Sequence, residues 1–167
     1  DILKSMGSKQ RWVSENSIEI KNDGLNPENL DQDLVNQIRS SILLIWPMVA
    51  RFKKFSFVMP GGCRIGVRPI DTHLDSLKEL GASAEFNKEL GIYNLSLEKK
   101  FKAKEVSLKE FSVTATENLL MLGALGEITI KLAAIEPHVQ DLISFLIKIG
   151  LKIGNLNNHA FQVSPGT

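Results

Sequence analysis

The sequence predicts an α/β fold assembled from repeated β-α-β-α-β-β units of about 70 residues. Three observations carry this. Short apolar turns ending in glycine recur as Ile2-Leu3-Lys4-Ser5-Met6-Gly7, Leu77-Lys78-Glu79-Leu80-Gly81 and Leu146-Ile147-Lys148-Ile149-Gly150, with the glycines 74 and 69 residues apart. Each glycine is followed by a pair of strand-like runs. Upstream of the last two glycines lies a helix opened by proline, preceded by a strand and a longer apolar helix.

Each element has a local cause. Gly7, Gly81 and Gly150 suit the left-handed position that ends a helix, where a Cβ is penalised. The runs after them read as hairpins: Arg11-Trp12-Val13 with Ser17-Ile18-Glu19-Ile20, Ala84-Glu85-Phe86 with Ile92-Tyr93-Asn94-Leu95, and Leu151-Lys152-Ile153 with Ala160-Phe161-Gln162-Val163. Pro69 and Pro137 are expected in the first turn of their helices, where a missing N–H is no loss. Strands are expected at Phe55–Met59 and Ile128–Leu132. The longer helices are expected over Asp31–Trp46, kinked or ended by Pro47, and over Thr114–Leu125. Asp1–Met6 reads as the middle of a helix, so the chain is expected to open inside one unit. The division is then residues 1–22 for the end of one unit, 23–97 for the second and 98–167 for the third.

Composition narrows the function classes. The 167 residues carry 20 basic and 19 acidic side chains, a net charge of +1, which argues against an electrostatic grip on nucleic acid. One cysteine allows no internal disulfide, and with three histidines it forms no zinc-ligand spacing. A reducing, cytoplasmic setting is expected. No apolar run approaches the roughly 18 residues of a membrane span.

The segment Pro60-Gly61-Gly62-Cys63-Arg64-Ile65-Gly66-Val67-Arg68 stands apart. Its three glycines let backbone N–H groups approach an anion, and the corresponding connection in the next unit, Ala133-Ala134-Ile135-Glu136, has none. A lone cysteine is commonly a small buried apolar side chain. Between Arg64 and Arg68, however, Cys63 is placed to favour the thiolate.

This segment, continued through Arg68-Pro69-Ile70-Asp71, His73-Leu74 and Leu80-Gly81-Ala82, resembles the catalytic-loop region of the UDP-N-acetylglucosamine 1-carboxyvinyltransferases, enolpyruvyl transferases of peptidoglycan synthesis. The likeness extends to Arg39-Ser40-Ser41, with Arg39 standing 24 residues before Cys63, and to Pro47–Phe52. Downstream it takes in Ser112–Met121, Glu136-Pro137, Asp141-Leu142 and Phe145-Leu146. The sibling enolpyruvyl transferases of aromatic biosynthesis share the repeat architecture without the cysteine loop.

The resemblance implies an inside-out α/β barrel, helices within and sheets without, of which this chain is one incomplete domain. It implies transfer of the enolpyruvyl group of phosphoenolpyruvate to the 3′-hydroxyl of UDP-N-acetylglucosamine, with no metal or organic cofactor. By the same carry-over Cys63 is the proton donor and the site of fosfomycin alkylation, and Arg68 faces the phosphate of phosphoenolpyruvate. Arg39, Pro69, Ile70, Asp71, Thr72, Ser112 and Val113 border the sugar nucleotide.

Glu110 and Thr114 depart from the pattern, standing where many members carry lysine and glycine, with Lys109 the nearest replacement cation. Asp71 is expected to cap its helix, and His73 to be structural. The family's lysine-asparagine pair, the aspartate base and a further arginine are absent from these 167 residues. The chain alone is therefore expected to be inactive, its partner being the rest of the enzyme or a second copy. The alternative is a non-catalytic nucleotide-binding or interaction fragment.

Overall fold

The structure is a computed structural model that describes residues 1–61, 69–97, 101 and 104–166. In chain order it runs α1 (Ile2–Ser5), β1 (Lys9–Ser14), β2 (Ser17–Lys21), a 3-10 turn (Pro27–Asn29), α2 (Gln32–Gln37), a second 3-10 turn (Arg39–Leu44) and α3 (Ile45–Phe52). There follow β3 (Lys54–Val58), α4 (Asp71–Glu79), β4 (Ser83–Asn87), β5 (Ile92–Ser96), β6 (Glu105–Ser107), α5 (Val113–Leu122), β7 (Ile128–Lys131), α6 (Pro137–Lys148), β8 (Lys152–Asn157) and β9 (Ala160–Ser164).

The repeated glycines close three helices identically. Gly7, Gly81 and Gly150 donate to the carbonyls of Lys4, Lys78 and Ile147, and the next residues, Ser8, Ala82 and Leu151, donate to Leu3, Leu77 and Leu146, all at 2.9–3.0 Å. This double bond pattern requires the left-handed backbone that the glycines adopt, at φ +96, +91 and +109. Each closure turns the chain directly into an antiparallel hairpin, β1 with β2, β4 with β5, and β8 with β9.

The hairpins enter three separate sheets, ordered β1-β2, β3-β5-β4 and β6-β7-β9-β8. The two larger sheets share a plan: β3 and β7 each lie antiparallel to the second strand of the hairpin that follows, β5 or β9. Across β3, β5 and β4 the register stacks Phe57, Tyr93 and Phe86, with ring centroids 5.5 and 4.7 Å apart. β6 adds to β7 in parallel, the crossover between them being α5.

Burial places helices inside and sheets outside. α5 buries seven of its ten residues, a helix covered nearly all round, while β3 buries only Phe55 and Phe57 and β9 only Phe161 and Val163. α5 ends hard against β9, since a Cβ on Gly123 would overlap the Val163 side chain. No closed barrel forms among the described residues, whose three sheets stay separate. Likewise no helix among them is long and apolar enough to cross a membrane.

The helix expected over Asp31–Trp46 is two helices and a turn, and the break is at Ile38, whose backbone is extended (φ −132, ψ 134). The Ser41 hydroxyl donates to the carbonyls of Val35 and Ile38 at 2.9 and 2.7 Å, taking acceptors that a continuing helix would use. Pro47 does not end the helix; it is the third residue of α3, where its absent N–H has no intrahelical partner to lose. Pro137 opens α6 as expected, but Pro69 lies outside α4, its carbonyl accepting from Arg39 while Ile70 becomes the residue before the first turn. The strand expected to reach Leu132 stops at Lys131, because Leu132 turns to φ +54 and Ala133 donates to the His159 carbonyl.

α3 opens at Leu44, which offers no side-chain cap. The cap comes from α5: fully buried Asn118 accepts from the Trp46 N–H at 3.3 Å, and donates to the carbonyls of Ile42 at 3.2 Å and Thr114 at 2.9 Å. Asn118→Leu keeps the volume but strands the buried Trp46 N–H, and is expected to destabilise the fold by about 2–4 kcal/mol. Urea unfolding followed through tryptophan fluorescence measures it.

Candidate functional site

Two helix starts face each other. The Thr72 hydroxyl in the first turn of α4 donates to Glu110 Oε1 at 3.0 Å, and His73 Nε2 lies 3.0 Å from the Thr114 hydroxyl in the first turn of α5. Thr72 and His73 are buried, 8% and 3% exposed. α5 is capped by Ser112, whose Oγ accepts from the Ala115 N–H at 3.4 Å and whose carbonyl accepts from Thr116 Oγ1 at 2.8 Å. α4 has no side-chain cap; its first bonds run from the N–H groups of His73 and Leu74 to the Ile70 carbonyl. The N–H groups of Asp71 and Thr72 precede those bonds and lie at the positive end of the helix dipole.

The glycine-rich segment is anchored at both ends on one short stretch. A Cβ on Gly61 would overlap the Asn36 carbonyl oxygen, so the strand leaving β3 is pressed against the end of α2. At the other end Arg39 Nη2 donates to the Pro69 carbonyl at 3.0 Å. Residues 61 and 69 therefore both rest on residues 36–39, beside the start of α4. Cys63 and Arg68 lie between these anchors, outside the described residues.

The charges around α4 are largely committed. Lys109 Nζ sits 2.7 Å from Asp75 Oδ2, and that bond and charge, with a smaller contribution from Asp71, raise the Lys109 ammonium pKa. Lys109 is thus tied to the side of α4 and does not stand in as a free cation at the α5 start. Burial, seconded by the charge of Arg39, holds the His73 imidazole down to about 4. At neutral pH the ring is uncharged, and its Nδ1 is buried with no partner among the described residues.

The other expected site residues divide by exposure. Arg39 is half-buried; Pro69 and Asp71 are exposed; the Ile70 side chain, 1% exposed, belongs to the core, so only its backbone faces the helix start. Val113 packs partly against the core. Asp71 does not cap α4, since it is the first residue of the helix and no side chain bonds there. Sequence reasoning missed Asn36, which meets Gly61 first through its carbonyl oxygen, and the pairing of Glu110 and Thr114 with α4. A surface groove of about 550 Å³ lined by Asn26, Pro27, Glu28, Phe52, Lys54 and Phe55 contains none of these residues.

The His73 shift has a stability consequence. The unfolded imidazole takes its proton near pH 6.5 and the folded one near 4, so stability from the neutral ring is complete above about 6.5 and falls as pH drops toward 4. The loss is expected to reach about 3 kcal/mol. It appears as a difference in unfolding free energy between wild type and His73→Gln across that window, and as a ring-proton NMR titration of His73 near pH 4.

Relatives place the chain. The family model described as EPSP synthase (3-phosphoshikimate 1-carboxyvinyltransferase) matches residues 1–167. The UDP-N-acetylglucosamine 1-carboxyvinyltransferase of Helicobacter pylori is 34% identical over 164 residues, 97% of this chain and 38% of the relative. That of Coxiella burnetii is 38% identical over 155 residues, 92% of this chain and 35% of the relative. The chain spans little more than a third of the length of these relatives. Among solved structures, the enolpyruvyl transferase NikO from Streptomyces tendae superposes with a TM-score of 0.79 at 18% identity, covering 99% of this chain and 39% of that one. EPSP synthase from Acinetobacter baumannii gives 0.69 at 17% identity, covering 98% and 37%. At such identities the likeness is one of fold, and the fold is that of the enolpyruvyl transferases. With a family match running from the first residue to the last and the helices-inside arrangement beside it, the chain belongs to the EPSP synthase (3-phosphoshikimate 1-carboxyvinyltransferase) family.

Proposed function

We propose that this chain forms one wall of an enzyme that transfers the enolpyruvyl group of phosphoenolpyruvate to the 3′-hydroxyl of UDP-N-acetylglucosamine, the first committed step of peptidoglycan synthesis. The observation that carries the reading is the double anchoring of the cysteine segment, Gly61 on Asn36 and Pro69 on Arg39, beside two helix starts. The names of the 34–38% identical relatives support the choice of acceptor. The division into units at residues 1–22, 23–97 and 98–167 belongs to the same reading, and the thrice-repeated glycine closure and hairpin support it.

In this reading the sugar oxygen bonds to C2 of phosphoenolpyruvate as Cys63 delivers a proton to C3. The tetrahedral ketal then loses phosphate while C3 gives a proton back, restoring the enol double bond. A thiol between Arg64 and Arg68 is polarised for that exchange. Arg68 offers its guanidinium fork to the departing phosphate. Arg39, at the foot of the segment, and Pro69–Thr72, at the start of α4, border the sugar nucleotide. Ser112 and Val113 present the first N–H groups of α5 to its diphosphate. The base for the sugar hydroxyl and the opposite wall come from outside these 167 residues, so the chain alone does not turn over.

A non-catalytic nucleotide-binding fragment is the second reading, favoured by the commitment of Glu110 and Lys109 to α4. Fosfomycin in the presence of UDP-N-acetylglucosamine separates the two. One covalent adduct per chain by mass spectrometry, abolished in Cys63→Ser, is expected from an enolpyruvyl transferase loop; saturable sugar-nucleotide binding with no adduct favours the fragment. Phosphate release from phosphoenolpyruvate and UDP-N-acetylglucosamine is expected to equal that of a Cys63→Ala control, and release above it would overturn the inactivity of the isolated chain.

A further inference from the structure

The contact between Thr72 and Glu110 links two helix starts at the candidate site, and it does so with a carboxylate. Glu110 stands two residues before the α5 cap Ser112, exposed, with Oε1 3.0 Å from the hydroxyl of Thr72. One residue further on, His73 and Thr114 make a parallel link at 3.0 Å. Both links span the interval between α4 and α5, so the Glu110 carboxylate is held against the first turn of α4 and two residues ahead of the α5 cap, near the positive ends of helices of nine and ten residues. A carboxylate is the side chain such a position attracts, and the Thr72 hydroxyl fixes one of its oxygens there.

A second feature of the same place is unsatisfied. His73 is 3% exposed, and its Nδ1 has no hydrogen-bond partner among the described residues although its Nε2 is engaged by Thr114. A buried ring nitrogen left open beside two helix starts marks a polar position that the protein's described groups do not complete. Of the nearby cations, Lys109 is paired to Asp75 at 2.7 Å, and Arg39 Nη2 donates to the Pro69 carbonyl. Asp71, the first residue of α4, adds a second exposed carboxylate to the rim.

We infer that Glu110 is a specificity-determining residue for the sugar-nucleotide subsite: its carboxylate occupies the anion position between the two helix starts, and an anionic ligand enters only by displacing it from Thr72. The inference rests on the proposed reading for the identity of the ligand and not for the gate itself. Discrimination then follows ligand charge. A neutral nucleoside is not repelled by the carboxylate, whereas a diphosphate meets its charge and competes with it for the Thr72 hydroxyl.

The test compares wild type with Glu110→Gln, which keeps an acceptor for Thr72 while removing the charge, and with Thr72→Val, which releases the carboxylate while leaving its charge. Calorimetric or NMR titrations use uridine, UDP, UDP-N-acetylglucosamine and inorganic pyrophosphate. In Glu110→Gln, affinity for the two uridine diphosphates and for pyrophosphate is expected to rise about fivefold at low salt, with the gain shrinking as salt is added and uridine unchanged. Thr72→Val is expected to give a smaller gain of the same charge order.

The outcomes sort cleanly. Equal affinity of wild type and Glu110→Gln for UDP-N-acetylglucosamine overturns the gate and leaves the proposed function standing. A pyrophosphate gain without any uridine-nucleotide binding keeps the gate and removes the sugar-nucleotide reading. A gain shared equally by uridine and UDP makes Glu110 a structural residue and overturns the inference, as does the absence of binding by every probe to every variant.

Discussion

The position of α3 relative to α5 rests on one buried amide. Asn118 reaches from the middle of α5 to the junction where the 3-10 turn becomes α3, taking the Trp46 N–H and giving to the Ile42 carbonyl while also bonding Thr114 in its own helix. An amide that is 0% exposed has no water to fall back on, so the geometry is held to the few arrangements that satisfy both ends. The consequence travels outward. Arg39 heads the 3-10 turn, and Ser112 and Thr114 head α5, so the amide sets the distance between the stretch that anchors the cysteine segment and the helix start expected to meet the diphosphate.

Around that amide the architecture inverts the common arrangement of an α/β protein. α5 and α3 lie in the interior, while β3 and β9 of the two larger sheets each bury one face and turn the other outward. A central helix cannot be amphipathic in the usual sense. α5 is accordingly covered nearly all round, and two of its buried polar side chains are engaged: Thr116 bonds back to Ser112 and accepts from the Ala134 N–H, and Asn118 binds α3. Polar side chains in this helix act as joints between layers. That is also why Ser, Thr and Asn can occupy an interior helix without the loss their propensities would suggest.

Much of this was legible in the sequence because it is local. The three glycine closures, the hairpins after them, the Pro137 helix start and the strand cores all follow from rules that act within a few residues, and each stands in the structure. The failures share a cause as well. The apolar pattern has Pro47 kinking or ending its helix and Pro69 opening one, but whether a proline opens, ends or precedes a helix depends on which carbonyls are free. Ser41 takes those of Val35 and Ile38, and Arg39 takes that of Pro69. Ser41 is close in sequence yet acts through its hydroxyl, and Arg39 reaches across thirty residues. Neither shows in an apolar pattern.

The sequence by itself determined the repeat, the α/β class and the singular loop, since glycine spacing, alternation and a lone cysteine between arginines are properties of the chain as written. Only the tertiary structure decided what meets what. Asn36 enters the site through its carbonyl, an atom every residue possesses and no motif can signal. Glu110, an acid out of place in the pattern, has its meaning set by a hydroxyl 38 residues away, and Thr114 by an imidazole that burial keeps neutral. Charge state and partnership at such positions are decided by desolvation and distance, and those exist only once the helices have packed.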